Sequence, residues 1–327
     1  MLRRMHAGVG GAHLESRPGR RLVLATVAGA ALSLLPLTSA TASASGQNGR
    51  IVFARQNDAF NDTVAFTVNP DGSHWQRLLP GSPVECPSWS PDGTKLFVGA
   101  GSDGEILNAD GTVNHDLQPP PGFFFGCGHW SPYGRRLARA GFGDSPAVNG
   151  VYTVRASDDR GMRRLTTGND DPKDFSPDGH RIVFLRSDPR RPAASRLALF
   201  TVGTDGQGLR RITPWGLAIG ISASWSPDGR WIAFTGAGVI YLVRPDGVVL
   251  RPVRLDTGTS TSYVVSVGWS PDGERFVISL YLQHQGAVNV YTARADGTDL
   301  RRLTDRKRFD PHDLEDPVDW GTHPAIP

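Results

Sequence analysis

Two cysteines, Cys86 and Cys127, are all that the 327 residues contain, so the chain can form one disulfide at most. Catalytic templates are missing too. There is no glycine-rich phosphate loop and no H-E-x-x-H helix. Gly220-Ile221-Ser222-Ala223-Ser224 lacks the final glycine of a nucleophile elbow. Long apolar runs are also lacking: the longest, Leu22 to Leu37, falls short of the roughly 20 residues that span a bilayer comfortably. Nor is there a surplus of charge where it would matter. The whole chain carries +3, but residues 1–44 hold five arginines and one glutamate, and the remainder has 30 basic against 31 acidic residues, a net −1. That balance removes the electrostatic footprint of a nucleic-acid-binding protein.

What the N-terminus does hold is an export pattern. Arg17, Arg20 and Arg21 precede the apolar run, and Thr41-Ala42-Ser43-Ala44 follows it with small residues at both defining positions of an A-x-A cleavage site. Residues 1–44 are therefore expected to be a signal peptide and 45–48 a short linker. Arg20-Arg21 is either ordinary signal charge or a twin-arginine element. An uncleaved membrane anchor is the alternative. No cysteine near the expected cleavage site could take a lipid. The mature protein is expected to be exported, to the periplasm, the cell envelope or the medium.

Glycine and proline are abundant, at 39 and 25, and they recur in a pattern. Trp225-Ser226-Pro227-Asp228-Gly229 returns as Trp89-Ser90-Pro91-Asp92-Gly93, Trp130-Ser131-Pro132-Tyr133-Gly134, Phe175-Ser176-Pro177-Asp178-Gly179 and Trp269-Ser270-Pro271-Asp272-Gly273. Proline pre-sets φ at a turn corner, aspartate bonds back to the local backbone, and glycine takes the left-handed position. Apolar runs flank each copy, which makes it a hairpin. The turns begin at steps of 41, 45, 50 and 44 residues, the length of a four-stranded propeller blade. Within each unit a second Asp-Gly turn precedes a short closing strand such as Arg302-Leu303-Thr304. Trp320 stands 51 residues after Trp269, so the C-terminus is expected to supply the first strand of the N-terminal blade and remove an exposed sheet edge. The expected fold is all-β, a six-bladed propeller over 49–323 with a tail at 324–327.

This repeat, W-S-P-D-G followed by an apolar strand, a second D-G and R-L-T, resembles that of the TolB-type β-propellers, also called the WD40-like or PD40 repeat. The resemblance implies the fold. The additional α/β domain that precedes the propeller in the family has no counterpart in the few residues between the expected signal and the first strand, so roles tied to it are not implied. Propellers similar to this one also include lyases and hydrolases acting on sugars or cyclic esters.

Blade topology puts both Asp-Gly turn families on one face. The irregular segments fall on the other: 57–62, 119–126, 141–149, 187–196, 214–221, 283–287 and 305–317. Loops on a rigid scaffold are where function concentrates. Cys86 and Cys127 each stand three residues before a blade tryptophan, so they occupy equivalent places in neighbouring blades, and in an exported protein they are expected to pair. The residues just before the blade aromatics are Ser88, His129, Asp174, Ser224, Gly268 and Asp319. If these approach the channel, His129, Asp174 and Asp319, with Asp170 and Asp171 nearby, form a candidate ligand or divalent-cation site. Solvated or turn-capping roles are the plainer alternative, and no other cofactor is expected. Phe123, Phe124 and Phe125 cannot all point inward from an extended strand, so at least one is a candidate for lining a groove or partner surface, the alternative being loop packing. The acidic stretch Asp310, Asp313, Glu315 and Asp316 is read as a solvated loop.

These features lead to the expectation of a monomeric, non-catalytic binding module for a protein, peptide or cell-envelope ligand. The rival expectation is an enzyme with a His and carboxylate or metal site at the channel mouth, carried by His129, Asp174 and Asp319.

Overall fold

The computed structural model describes residues 46–56, 63–78, 84–100, 103–258, 262–283, 285, 287–304 and 314–322. The expected signal peptide, segment 57–62, most of 305–317 and the tail therefore lie outside the described residues. The strands form six antiparallel four-stranded sheets, and the first strand of each sheet packs against the first strand of the next. Leu314–Trp320 contacts Glu85–Trp89, and the series continues through Phe123–Trp130, Asn169–Phe175, Ile219–Trp225 and Ser262–Trp269 back to Leu314–Trp320. The ring is a six-bladed propeller.

Blade one closes as the sequence indicates. Leu314–Trp320 pairs antiparallel with Ile51–Gln56, with Ile51 opposite Trp320. Gly49 donates its N–H to the Gly321 carbonyl at 2.9 Å, and the Trp320 indole donates to the Gly49 carbonyl at 2.9 Å. The blades adhere because each strand alternates its side chains, so that apolar rows from adjacent sheets interdigitate. One such inter-blade cluster joins Val183, Leu185 and Leu199 to Trp225, Ile232 and Phe234.

The repeated turn is a small hydrogen-bonded device. At Ser226 the hydroxyl donates to Asp228 Oδ1 at 2.6 Å and accepts the Trp231 N–H at 2.9 Å. Asp228 Oδ1 also accepts the Arg230 N–H at 2.9 Å. Gly229 sits at φ +69°, where a side chain would strain the backbone. Tyr133 replaces the aspartate in blade three, and there Ser131 Oγ still accepts the Arg136 N–H at 3.0 Å.

Each first strand also carries an irregularity that no turn motif announces. In all six blades the register shifts between two and five residues before the aromatic: at 316–317, 86–87, 126–127, 173, 220–222 and 265. An extra residue bends the strand and re-aims its side chains. Here the bends occur where the six strands line the centre of the ring.

Blade three holds a buried ion pair. Arg139 Nη1 and Asp159 Oδ2 are 2.6 Å apart with both side chains fully buried. The guanidinium lies over the Phe125 and Phe97 rings at 4.9 and 5.3 Å, and its Nε donates to the Gly126 carbonyl at 3.2 Å.

Candidate functional site at the central channel

A cavity of about 400 Å³ occupies the centre of the ring. All six residues that precede the blade aromatics, Ser88, His129, Asp174, Ser224, Gly268 and Asp319, line it. Tryptophan and proline residues of the repeated turns supply much of the remaining wall, Trp89, Trp225 and Pro177 among them. The repeat thus builds a largely apolar shaft, and the variable position ahead of each aromatic supplies its polar groups together with Lys173, Ser222 and Ser266.

Cys86 and Cys127 form a disulfide on this wall, with 5.7 Å between their Cα atoms, and it links the first strands of blades two and three. The same two strands share further bonds. Ser88 Oγ donates to the Gly128 carbonyl at 3.1 Å, and the Trp130 indole donates to the Ser88 carbonyl at 3.2 Å.

Asp319 and Asp174 come from blades one and four, which stand opposite each other in a six-membered ring. Each uses one oxygen to fasten its blade to the next: Asp319 Oδ2 accepts the Trp89 N–H at 2.7 Å, and Asp174 Oδ2 accepts the Trp225 N–H at 2.8 Å. The Ser224 hydroxyl also donates to Asp174 Oδ2, at 3.3 Å. Burial pushes the Asp174 carboxyl up to about 7; the Trp225 N–H opposes the rise and the charge of Asp319 adds to it. Burial likewise pushes Asp319 up to about 6, against the N–H groups of Trp89 and Trp320. Both carboxylates are thus costly to ionise in this wall.

His129 is shifted the opposite way, as burial disfavours a cation. Desolvation first and the Lys173 charge second depress it to about 4, with Asp171 opposing, so the ring is neutral at pH 7. Its Nε2 is shielded from solvent and has no hydrogen-bond partner. Lys173 itself is held by Asp171, Nζ to Oδ2 at 2.6 Å. Asp170 turns away to pair with Arg186 at 2.6 Å.

The structure therefore brings His129, Asp174 and Asp319 to one channel without clustering them. Among the described residues no group of three or more His, Cys, Asp or Glu side chains could hold a metal ion. Ser266 was missed by sequence reading: it is 1% exposed, lines the channel, and its Oγ has no partner. Its sequence signal is its place three residues before Trp269, the position that Cys86 and Cys127 take before Trp89 and Trp130.

The three phenylalanines are strand residues, where the sequence suggested a loop. Phe123, Phe124 and Phe125 open the first strand of blade three, opposite Gly143, Phe142 and Gly141. Phe123 and Phe125 pack around Tyr152 inside the blade. Phe124 points out and is 48% exposed beside Phe142. None of the three lines the channel cavity. Glu315 and Asp316 likewise belong to a strand, the first of blade one, while Asp310 and Asp313 lie outside the described residues.

No known family's profile matches this chain. Among curated relatives, the uncharacterized peptidase YuxL of Bacillus subtilis is 25% identical over 173 residues, covering 47% of this chain and 23% of YuxL. The uncharacterized protein Atu1656 of Agrobacterium fabrum is 26% identical over 218 residues, 59% of this chain and 68% of that protein. The Tol-Pal system protein TolB of Desulfosudis oleivorans is 30% identical over 105 residues, 31% of this chain and 22% of that TolB. The chain thus matches less than a quarter of the length of YuxL and of this TolB.

Among solved structures, TolB from Acinetobacter baumannii superimposes with a TM-score of 0.63 at 18% identity, covering 84% of this chain and 66% of that one. An oligogalacturonate lyase in complex with manganese gives 0.53 at 15% identity, covering 80% and 81%. The fold is a TolB-like six-bladed propeller, and at these identities the likeness extends to the fold alone.

Proposed function

We propose that this chain is an exported, non-catalytic binding module that presents the irregular face of its propeller, around the channel mouth, to a protein, peptide or cell-envelope ligand. The observation that carries this reading is the cavity of about 400 Å³ at the centre of the ring, with large apolar side chains exposed at the strand ends on that face. Phe124, Ile221 and Tyr263, at the starts of three first strands, are 48%, 53% and 50% exposed, and Ile221 belongs to the channel wall. A concave cavity with apolar side chains on its wall and a few polar groups among them is the usual form of a binding site. The Tol-Pal system protein TolB, similar to this chain over 105 residues, is by its name part of a protein assembly, which accords with a protein partner. The disulfide accords with export to an oxidising compartment.

The test is capture from envelope and culture-supernatant fractions, with the wild type and Phe124→Ala compared side by side. A specific partner whose recovery falls with Phe124→Ala supports the reading. Indistinguishable recoveries, or none, sink it. Export is checked separately by the N-terminal sequence of the protein recovered outside the cytoplasm, expected to begin at Ser45.

A second reading, an enzyme acting on a sugar, draws on one observation: His129 is held neutral with an unpartnered Nε2 on the channel wall, the state of a general base. An oligogalacturonate lyase shares the fold. Unsaturated product from oligogalacturonate with manganese present, abolished by His129→Ala, would replace the first reading by this one.

A further inference from the structure

We infer that the channel between Asp174 and Asp319 is a receptor for a primary ammonium group on an apolar stem, the side chain of a lysine carried by a peptide partner. The inference rests on the binding-module reading and names the chemistry of its ligand. Three observations converge on it.

The first is charge without a counter-charge. Two carboxylates face one cavity from opposite blades, and the groups that donate to them are uncharged: the Trp89 and Trp320 N–H groups to Asp319, and the Trp225 and Phe175 N–H groups with the Ser224 hydroxyl to Asp174. The titratable groups on the wall are Asp174, Asp319, His129 and Lys173. Of the two that could carry positive charge, His129 is kept neutral by its burial, and Lys173 is engaged by Asp171 at 2.6 Å. The carboxylates are therefore desolvated without a paired cation, the arrangement that a bound cation relieves.

The second is the unfilled hydrogen-bonding capacity beside them. Ser266 Oγ, 1% exposed, has no partner, and neither does His129 Nε2; both residues line the same cavity. An ammonium group has three donors and no acceptor, and in its neutral form the His129 ring offers one acceptor nitrogen to it.

The third is the wall. Trp89, Trp225 and Pro177 flank the carboxylates, and an aliphatic stem buries itself against such surfaces while aromatic faces attract the cation. A divalent metal asks instead for a compact oxygen cage, and no group of three candidate ligands exists among the described residues. A cavity of about 400 Å³ has room for a lysine side chain that reaches inward from the mouth, past the exposed Ile221.

The experiment titrates the intact protein with Nα-acetyl-L-lysine N-methylamide and with its uncharged counterpart, Nα-acetyl-L-norleucine N-methylamide, following the fluorescence of the wall tryptophans and the heat of binding. At pH 8 the lysine amide should bind at least about tenfold more tightly, a difference of about 1.4 kcal/mol. The preference should shrink severalfold at pH 5, where the two aspartates take up protons. It should vanish in Asp174→Asn/Asp319→Asn, whose amide oxygens can still accept the two tryptophan N–H groups; an unchanged far-UV spectrum certifies that variant's fold.

Equal binding of the two amides overturns the inference, as does a preference that survives the double substitution. Aspartate-dependent binding of calcium chloride without binding of the lysine amide also overturns it and assigns the pair to a metal. The broader reading fails separately: a partner lost with Phe124→Ala but retained with Asp174→Asn/Asp319→Asn leaves the binding module standing and removes only the lysine receptor.

Discussion

Replacing Asp174 by asparagine should make the protein more stable at pH 8 and change the slope of its stability with pH. Asp174 has a carboxyl raised to about 7 in the folded chain, against about 3.9 in an unfolded one. Between those values the folded state holds a proton that the unfolded state has released, so stability falls as pH rises. Integrated from pH 5 to pH 8, that difference costs the wild type about 2.6 kcal/mol, at about 1.36 kcal/mol per pH unit. Partial contact with channel solvent lowers the figure to about 2 kcal/mol.

Asparagine does not titrate, and its carbonyl oxygen can take the Trp225 N–H that Asp174 Oδ2 now accepts at 2.8 Å. Urea unfolding at pH 5 and pH 8, wild type beside Asp174→Asn, isolates the effect because every other group cancels in the comparison. The variant should lose about 2 kcal/mol less than the wild type between the two pH values, with an unchanged dependence on urea. Parallel pH profiles would refute the argument, since they would mean that the carboxyl is solvated and ordinary in the folded state.

Reducing the Cys86–Cys127 bond, which encloses a sequence separation of 41, should cost up to about 4 kcal/mol by loop-closure entropy; unfolding with and without reductant measures it, and no change would mean the thiols are unpaired. Asp159→Ala strands the fully buried Arg139 guanidinium and should lower stability by about 3–5 kcal/mol, visible in the urea midpoint. Gly321→Ser would make Trp320-Gly321 look like the other turns, yet it should destabilise by about 1–3 kcal/mol, because an added Cβ would meet the Trp89 ring at 2.3 Å; thermal unfolding decides it.

Much of this molecule can be read from one dimension. Turns are local: Ser226, Pro227, Asp228 and Gly229 contain every group that their hairpin uses, so five spaced copies declare the blades without reference to anything distant. Ring closure follows from counting, since Trp320 continues the series and an open edge strand is costly. The pairing of Cys86 with Cys127 follows from their equivalent places in adjacent repeats, and the same equivalence brings Ser88, His129, Asp174, Ser224, Gly268 and Asp319 to the channel wall.

Other properties depend on what lies across a sheet or across the ring, and no repeat encodes that. Phe123, Phe124 and Phe125 divide into two core residues and one exposed residue because a strand forms there and pairs with Arg136–Gly143, whereas the sequence showed only glycine, proline and three rings. Arg139 and Asp159 are 20 residues apart, and Phe97 from the neighbouring blade packs with Phe125 against the buried guanidinium. The character of Asp174, Asp319 and His129 is likewise set by desolvation, joined at Asp174 and His129 by charges on other blades. Local chemistry, repeated, determined the fold of this protein; the ionisation of the groups in its channel was decided only when six strands converged and buried them.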